Sequence, residues 1–247
     1  GSLWKNILIF SLPLMLSQIL QVLFNMADVA IVGKFSSSNA MGSVGSTSIL
    51  VTLFTGFLIG MGAGVNVRVA QLLGAKRQED TEKAVHTALL LCVLTGVIIS
   101  GLCIFSAEWM LRLIQTRDDL LEGAELYFRI YALGMPAMGV FNFGNGVMSA
   151  NGDTRRPLMY LLTAGILNVI MNLFFVIVCN MAEDGVALSS IISQYITAVL
   201  ILVHMFRDKS ACGLRLRSIR FWRGCSVPIL VLGIPAGIQN AIFAVAN

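Results

Sequence analysis

Residues 7–33 read ILIFSLPLMLSQILQVLFNMADVAIVG, an almost unbroken apolar run that holds a single acidic residue, Asp28. About 20 apolar residues, rising about 1.5 Å each in an α-helix, cross the roughly 30 Å hydrocarbon layer of a membrane. The run exceeds the short core of a secretory signal peptide, and no small-residue cleavage site precedes the next apolar run. It therefore predicts a retained transmembrane helix.

The same pattern recurs along the 247-residue chain. Further apolar runs lie at about 46–73, 84–106, 124–149, 157–180 and 186–206, and a seventh starts near Val227. The chain is 57% hydrophobic and 12% charged, with a mean hydropathy of +0.83, whereas soluble domains carry about 25% charged residues. We therefore expect an all-α, polytopic membrane protein, built as a six-helix transmembrane bundle plus part of a seventh helix.

Basic residues concentrate in alternate connections between these runs. One side of the predicted bundle receives Lys5, Lys76, Arg77, Lys83, Arg155, Arg156, Arg207, Lys209, Arg215, Arg217, Arg220 and Arg223, and the other receives Lys34, Arg112 and Arg117. The positive-inside rule then places the N-terminus in the cytoplasm of a cell whose cytoplasmic membrane holds the protein. The net charge of +4 therefore reflects orientation in the lipid bilayer, and we expect no nucleic-acid partner.

A weak internal repeat divides the chain. A shift of 222 residues places Pro13 on Pro235 and Asn25 on Asn247. Transporters are often built from two repeated halves. We therefore expect a six-helix lobe at 1–206, a cytoplasmic linker at 207–225, and at 226–247 the start of a second lobe that is otherwise missing from this chain.

Polar side chains form a stripe on most of the predicted helices. Residues Gln18, Gln21, Asn25 and Asp28 share one face of the first helix because their spacings are 3, 4 and 3. Later helices carry Ser48, Thr52 and Thr55, then Asn142, Asn145 and Ser149, then Asn168 and Asn172, and finally Ser190, Ser193, Gln194 and Thr197. The stripes predict a shared hydrated cavity, although bonds between helices, about 0.6 kcal/mol each, also account for the hydroxyl groups.

Asp28 is the one acid deep within a predicted span, where a charged side chain costs about 2.5–3.5 kcal/mol on insertion scales. Helix rise places Asp28, Asn172 and Ser190 within roughly 12 Å of the same membrane surface. With Asn168, these residues would supply one carboxylate, two amide oxygens and one hydroxyl, a hard-oxygen site suited to Na⁺. The carboxylate is equally able to carry a proton, so the residues leave the coupling ion open.

Two backbone features indicate motion or close packing. Pro13 interrupts the hydrogen-bond ladder of the first helix and is a candidate hinge. Gly56, Gly60 and Gly64 recur every fourth residue, a spacing that lets another helix approach closely.

Enzymatic and cofactor chemistry find little support. The five cysteines form no CxxC pair, His86 and His204 have no partner motif, and neither HExxH nor GxSxG occurs. An intramembrane aspartyl protease needs two embedded acids. We therefore predict no enzyme activity and no bound cofactor besides the coupling ion.

Several segments together resemble the multidrug and toxic compound extrusion (MATE) transporters. They are SLPLMLSQILQVLFNMADVAIVGKF at 11–35, VAQLLGAKR at 69–77, SANGDTRRP at 149–157, LNVIMNLFFVI at 167–177, DGVALSSIISQ at 184–194 and LGIPAGIQN at 232–240. The resemblance covers essentially the whole chain and implies one lobe of a twelve-helix fold. It also implies export of cationic or amphipathic organic compounds in exchange for Na⁺ or H⁺.

The resemblance assigns residues as well. The family's cation site in this lobe uses an aspartate, an asparagine and a hydroxyl that match Asp28, Asn168 and Ser190, the last in place of threonine. Its usual fourth member is an aspartate, where this chain has Asn172. The departure leaves one acid and weakens any scheme that needs a carboxylate pair.

The alternative function is a flippase of the same superfamily, for lipid-linked oligosaccharides or peptidoglycan precursors. Such a protein must neutralise a pyrophosphate, yet Arg68 and Arg129 lie near helix ends and no basic residue lies in mid-span. The leading hypothesis is therefore a cation-coupled drug antiporter, in which cation binding at Asp28 bends the first helix at Pro13 and expels the substrate.

Overall fold

The protein is built from helices joined by short connections. The structure, a computed structural model, describes residues 3–246 apart from the side chains of 3–7, 9–10, 18 and 244–246. Its helices are α1 (Leu3–Phe35), α2 (Ser38–Gly74), α3 (Gln78–Leu113), α4 (Asp118–Ala132), α5 (Met135–Ala150), α6 (Arg155–Leu173), α7 (Glu183–Arg207) and α8 (Arg223–Ala246). A π-helical turn at Phe174–Val178 extends α6, and a 3₁₀ turn at Leu216–Ser218 precedes α8.

Six of the described helices are long and apolar enough to cross a membrane, as expected for an all-α membrane protein. Their spanning parts are Ser11–Phe35, Ser38–Gly74, Gln78–Leu113, Arg155–Val178, Glu183–Arg207 and Arg223–Phe243. This set differs from the six predicted runs because it includes α8 and omits the run at 124–149.

The predicted single helix at 124–149 is wrong, because the chain forms two shorter helices there. The break falls at Leu133 and Gly134, between α4 and α5. Pro136 stands in the first turn of α5 and has no N–H to donate to the carbonyl of Ala132, so one continuous helix would lose a hydrogen bond at this point. Both pieces pack against α2, α3 and α7, so the pair occupies the place of the expected fourth span.

Several helices also continue beyond their apolar runs. The run at 84–106 lies within the longer α3, whose polar ends hold ion pairs one turn apart. Lys83 lies 2.6 Å from Glu79, and Arg112 lies 3.0 Å from Glu108. Such pairs support helix outside the apolar region, so hydropathy alone underestimates the helix lengths.

The expected close approach at the glycines of α2 is confirmed, and the partner helix is α8. A Cβ atom added at Gly60 or Gly64 would collide with the main chain of Gly237 or Gly233. One added at Gly56 would lie 3.2 Å from the carbonyl oxygen of Asn240. Glycines on both helices therefore permit contact between the two backbones.

The polar segment after α7 is folded against the bundle and is not an extended tether. The backbone N–H of Leu214 donates to the carbonyl of Met205 at 2.9 Å. The N–H of Arg215 donates to Nε2 of His86 at 2.9 Å, and the N–H of Trp222 donates to Oγ1 of Thr87 at 3.2 Å. Two side chains of α3, His86 and Thr87, therefore fix this segment.

Large apolar side chains fill the inside of the bundle and cover its outside. Phe128 and Phe143 are fully buried. Phe105, by contrast, is 89% exposed, and similar exposed apolar residues occur on α1, α3, α6 and α8. An apolar exterior of this extent suits lipid better than water.

Candidate functional site

Asp28 lies at the meeting point of three helices. Its Oδ1 accepts a 2.6 Å hydrogen bond from Nδ2 of Asn172 on α6, and its Oδ2 accepts a 3.1 Å bond from the hydroxyl of Ser190 on α7. Nδ2 of Asn172 also lies 3.3 Å from Oδ1 of Asn168, and Nδ2 of Asn168 lies 3.4 Å from Oγ of Ser190. The structure thus brings the four predicted cation-site residues into one hydrogen-bonded cluster.

The helix periodicities explain why these side chains meet. Asn168 and Asn172 are one turn apart on α6 and therefore point to the same side. All four residues are at most 5% exposed, which places the cluster inside the bundle. The polar face of α1 therefore points into the bundle, and its apolar face points outward. Met15, Val22 and Met26 on that outer face are more than half exposed.

The charge of Asp28 has no cationic partner among the described residues, since every ion pair found there involves another acid. Neutral donors alone hold the carboxylate, and the Oδ1 atom of Asn172 is buried without a hydrogen-bond partner. A buried carboxylate and a free amide oxygen in one cluster fit a small hard cation. In the described part of the chain, no three His, Cys, Asp or Glu side chains are placed so that they could hold a metal ion together.

A cavity borders this cluster, with about 110 Å³ of space for water. A single water needs roughly 10–15 Å³ on the same measure, so the cavity has room for several waters. Aromatic side chains from three helices share its wall with Asp28, namely Phe24, Tyr131 and Phe141. An acid beside aromatic faces is a suitable environment for an organic cation.

A second cavity, of about 270 Å³, lies between α1, α2 and α5. Gln21 lines both cavities, so the two adjoin along α1. Neither wall includes a lysine or an arginine among the described residues.

The predicted cavity-lining residues divide between these two spaces. Gln21, Asn25 and Gln194 line the first, while Asn142 and Asn145 line the second together with Gln21. The side chain of Gln18 lies outside the described residues.

The hydroxyl stripes do not form the bonds between helices that we considered. Thr52 and Thr55 donate to carbonyls of their own helix at 2.6 and 2.8 Å, and Thr197 donates to the carbonyl of Ser193 at 2.8 Å. Within apolar helices, serine and threonine hydroxyls commonly donate to the main-chain carbonyl one turn earlier in this way. Ser190 is the exception in its stripe, because its hydroxyl reaches across to α1.

Pro13 lies inside α1, which is helical on both sides of it. The hydroxyl of Ser17 donates to the carbonyl of Pro13 at 2.9 Å. Fifteen residues separate Pro13 from Asp28, a distance of roughly 22 Å along a helix. If cation binding at Asp28 bends α1 at Pro13, the change must therefore be transmitted along about four helical turns.

Tyr131 and Asn66 are among the cavity residues that sequence reasoning missed. Tyr131 is 5% exposed and stacks on Tyr127 with ring centroids 5.8 Å apart. Asn66 donates through Nδ2 to the carbonyl of Gly146 at 3.1 Å and so joins α2 to α5. The i, i+4 spacing of the tyrosines was a readable signal, whereas the partner of Asn66 is a backbone atom that no side-chain pattern reveals.

Comparison with known proteins supplies the family. The MatE family model matches residues 13–174, which is more than half of the chain. The chain belongs to the MatE family. The matched segment contains Asp28, Asn168 and Asn172, whereas Ser190 follows it.

The relatives that the chain matches are all about twice its length. The chain is 30% identical to a probable multidrug resistance protein, YpnP, of Bacillus subtilis, over 98% of this chain and 54% of the relative. It is 26% identical to a second such protein, YoeA, of the same organism, over 100% and 55%. A solved structure of a MOP superfamily transporter from Pyrococcus furiosus superposes with a TM-score of 0.90 at 23% identity, over 100% of this chain and 54% of that one. The chain thus spans about half the length of the relatives it matches.

Proposed function

We propose that this chain forms the first lobe of a cation-coupled antiporter that exports cationic or amphipathic organic compounds. Asp28 is its coupling group, and Asn168, Asn172 and Ser190 complete the ion site. The observation that carries the proposal is a buried carboxylate that has neutral donors only and lies at the wall of a cavity. The relatives named as probable multidrug resistance proteins support the choice of substrate class.

The exchange of ion for substrate follows from the free-energy cost of a buried negative charge on Asp28. An ionised Asp28 without a cation is held by hydrogen bonds alone, and binding of Na⁺ or H⁺ neutralises it. A cationic substrate in the adjoining cavity competes for the same negative charge, so binding of the ion and binding of the substrate oppose each other. Because Asn172 stands where the family usually has an aspartate, the site offers a single charge for this exchange.

The flippase alternative is disfavoured by the cavity walls. A lipid-linked pyrophosphate carries negative charge and needs basic side chains around it. The walls of the two cavities beside α1 offer Asp28 and neutral polar groups instead.

We place the protein in the cytoplasmic membrane with its N-terminus in the cytoplasm, because the basic connections fall on one side. In the full-length protein a second lobe, beginning with α8, would complete the transport pathway. The glycine contact between α2 and α8 would then join the two lobes.

The test replaces Asp28 with asparagine in the full-length protein. Proteoliposomes with an imposed Na⁺ or H⁺ gradient should lose gradient-driven export of a quaternary ammonium dye in Asp28→Asn. The matched control is Glu122→Gln, which removes an acid that is exposed and forms no ion pair among the described residues. Undiminished export by Asp28→Asn, at equal protein content, would overturn the proposal.

A further inference from the structure

A third cavity, of about 350 Å³, opens at the basic end of the bundle. The end of α5, the first turn of α6, the end of α7 and the segment after α7 form its walls. Its lining residues are Val147, Met148, Asn151, Asp153, Arg156, His204, Met205, Arg207, Asp208, Lys209 and Cys212. It shares no lining residue with the two cavities beside α1.

Three cations line this cavity. Arg207 and Lys209 are exposed and form no ion pair with any described residue. Nη1 of Arg156 lies 3.1 Å from Oδ2 of Asp153 and 3.5 Å from Nε2 of His204. These contacts hold the guanidinium at the wall through one nitrogen.

The two acids of the cavity are already bound by neighbours. Asp153 accepts from the backbone N–H of Arg156 and pairs with its guanidinium, both at 3.1 Å. Asp208 accepts from the backbone N–H and the hydroxyl of Ser210, both at 2.9 Å. The charges of Arg156 and Asp153 balance each other, so Arg207 and Lys209 outweigh Asp208 and leave the cavity with an excess of one positive charge. Their N–H groups suit a phosphate ester.

The floor and the adjoining helix faces are apolar. Val147, Met148 and Met205 form a buried floor. One turn from the cations, on the same helix faces, Met159 follows Arg156 and Val203 precedes Arg207. They are 55% and 42% exposed.

We propose that this cavity binds the phosphate headgroup of an anionic membrane phospholipid. The cations contact the phosphate, and an acyl chain descends across Met159 and Val203. The order of charge and apolar surface along α6 and α7 favours a lipid over a free phosphate compound, which has no need of the exposed apolar positions. Basic pockets between transmembrane helices commonly serve this purpose.

The test uses the full-length protein and phosphatidylglycerol. The variant Arg156→Gln/Arg207→Gln/Lys209→Gln removes the cavity cations. The control Arg217→Gln/Arg220→Gln/Arg223→Gln removes the same charge from exposed arginines, outside the cavity, that form no ion pair among the described residues. Native mass spectrometry measures retention of phosphatidylglycerol against phosphatidylcholine, and circular dichroism checks folding.

Wild type and control should retain phosphatidylglycerol preferentially, and the cavity variant should lose this preference. The loss should be about fivefold per cation, since a basic residue near the surface contributes about 1 kcal/mol to anionic-lipid binding. Equal loss in both triple variants would show a general surface effect and overturn the proposal.

A second arm separates lipid from free phosphate. Met159→Ser/Val203→Ser keeps the cations and should weaken retention of phosphatidylglycerol while leaving binding of glycerol phosphate unchanged. If glycerol phosphate displaces the lipid at equal concentration, or if the serine variant retains lipid as wild type does, the lipid assignment is wrong. Neither arm depends on transport, so the result is independent of the role of Asp28.

Discussion

Alanine at Gly60 tests the contact between α2 and α8 most sharply, because the added methyl group has no free space. Its Cβ would overlap main-chain atoms of Gly237, and a backbone cannot turn aside as a flexible side chain can. Gly45, in the same helix α2, has nothing within 4 Å of an added Cβ. The two substitutions therefore make the same chemical change in opposite surroundings.

The expected effects differ in sign. Overpacking of a close contact costs about 1–3 kcal/mol, which exceeds the gain of about 0.5–1 kcal/mol from replacing a helical glycine by alanine. Gly60→Ala should therefore be destabilised by up to about 2.5 kcal/mol, whereas Gly45→Ala should be stabilised by about 0.5–1 kcal/mol.

Thermal unfolding of the detergent-solubilised full-length protein, followed by tryptophan fluorescence, measures both. About 2–4 °C per kcal/mol is expected for roughly 150–250 residues and less for a longer chain, so the melting temperatures of the two variants should separate by a few degrees, with wild type between them. A melting temperature of Gly60→Ala at or above that of wild type would refute the close α2–α8 contact.

Three further predictions concern the site and the segment after α7. Ser190→Ala removes one oxygen of the proposed Na⁺ site and should raise the half-maximal Na⁺ concentration for transport about tenfold, while Ser190→Thr keeps the hydroxyl and should retain activation; equal loss in both would deny a role to the hydroxyl. Asn172→Leu removes the Oδ1 atom that is buried without a hydrogen-bond partner and so takes one oxygen from the proposed Na⁺ site; the half-maximal Na⁺ concentration should rise about tenfold or more, and unchanged activation would contradict the proposed ion site. His86→Ala leaves the N–H of Arg215 without its acceptor, at a cost of about 1–3 kcal/mol; hydrogen exchange at residues 213–222 should accelerate, and protection equal to that of wild type would show that His86 does not hold the segment.

The sequence predicts much of this architecture because membrane helices obey simple geometry. Apolar length locates the spans, and the rise per residue places Asp28, Asn172 and Ser190 at similar depth before any contact is known. The same rules cannot detect the break at Gly134, since apolar residues continue through it and only Pro136 marks the lost hydrogen bond.

Backbone partners account for the remaining differences. The acceptor for Asn66 and the donors that meet His86 and Thr87 are main-chain atoms. Every residue has such atoms, so no residue pattern distinguishes the ones that are used. The hydroxyls of Thr52 and Thr55 were candidates for hydrogen bonds between helices, but they donate to main-chain carbonyls of their own helix. The sequence cannot distinguish these two kinds of acceptor.

Direct measurement of ion displacement tests the role of Asp28 more closely than transport does. The full-length protein, loaded with ²²Na⁺ or equilibrated in unbuffered solution, is mixed with a quaternary ammonium dye, and released Na⁺ or H⁺ is counted per dye bound. Wild type and Glu122→Gln should release the cation when the dye binds, and Asp28→Asn should bind dye without releasing either ion. Release from Asp28→Asn equal to that from wild type would show that the coupling charge lies elsewhere.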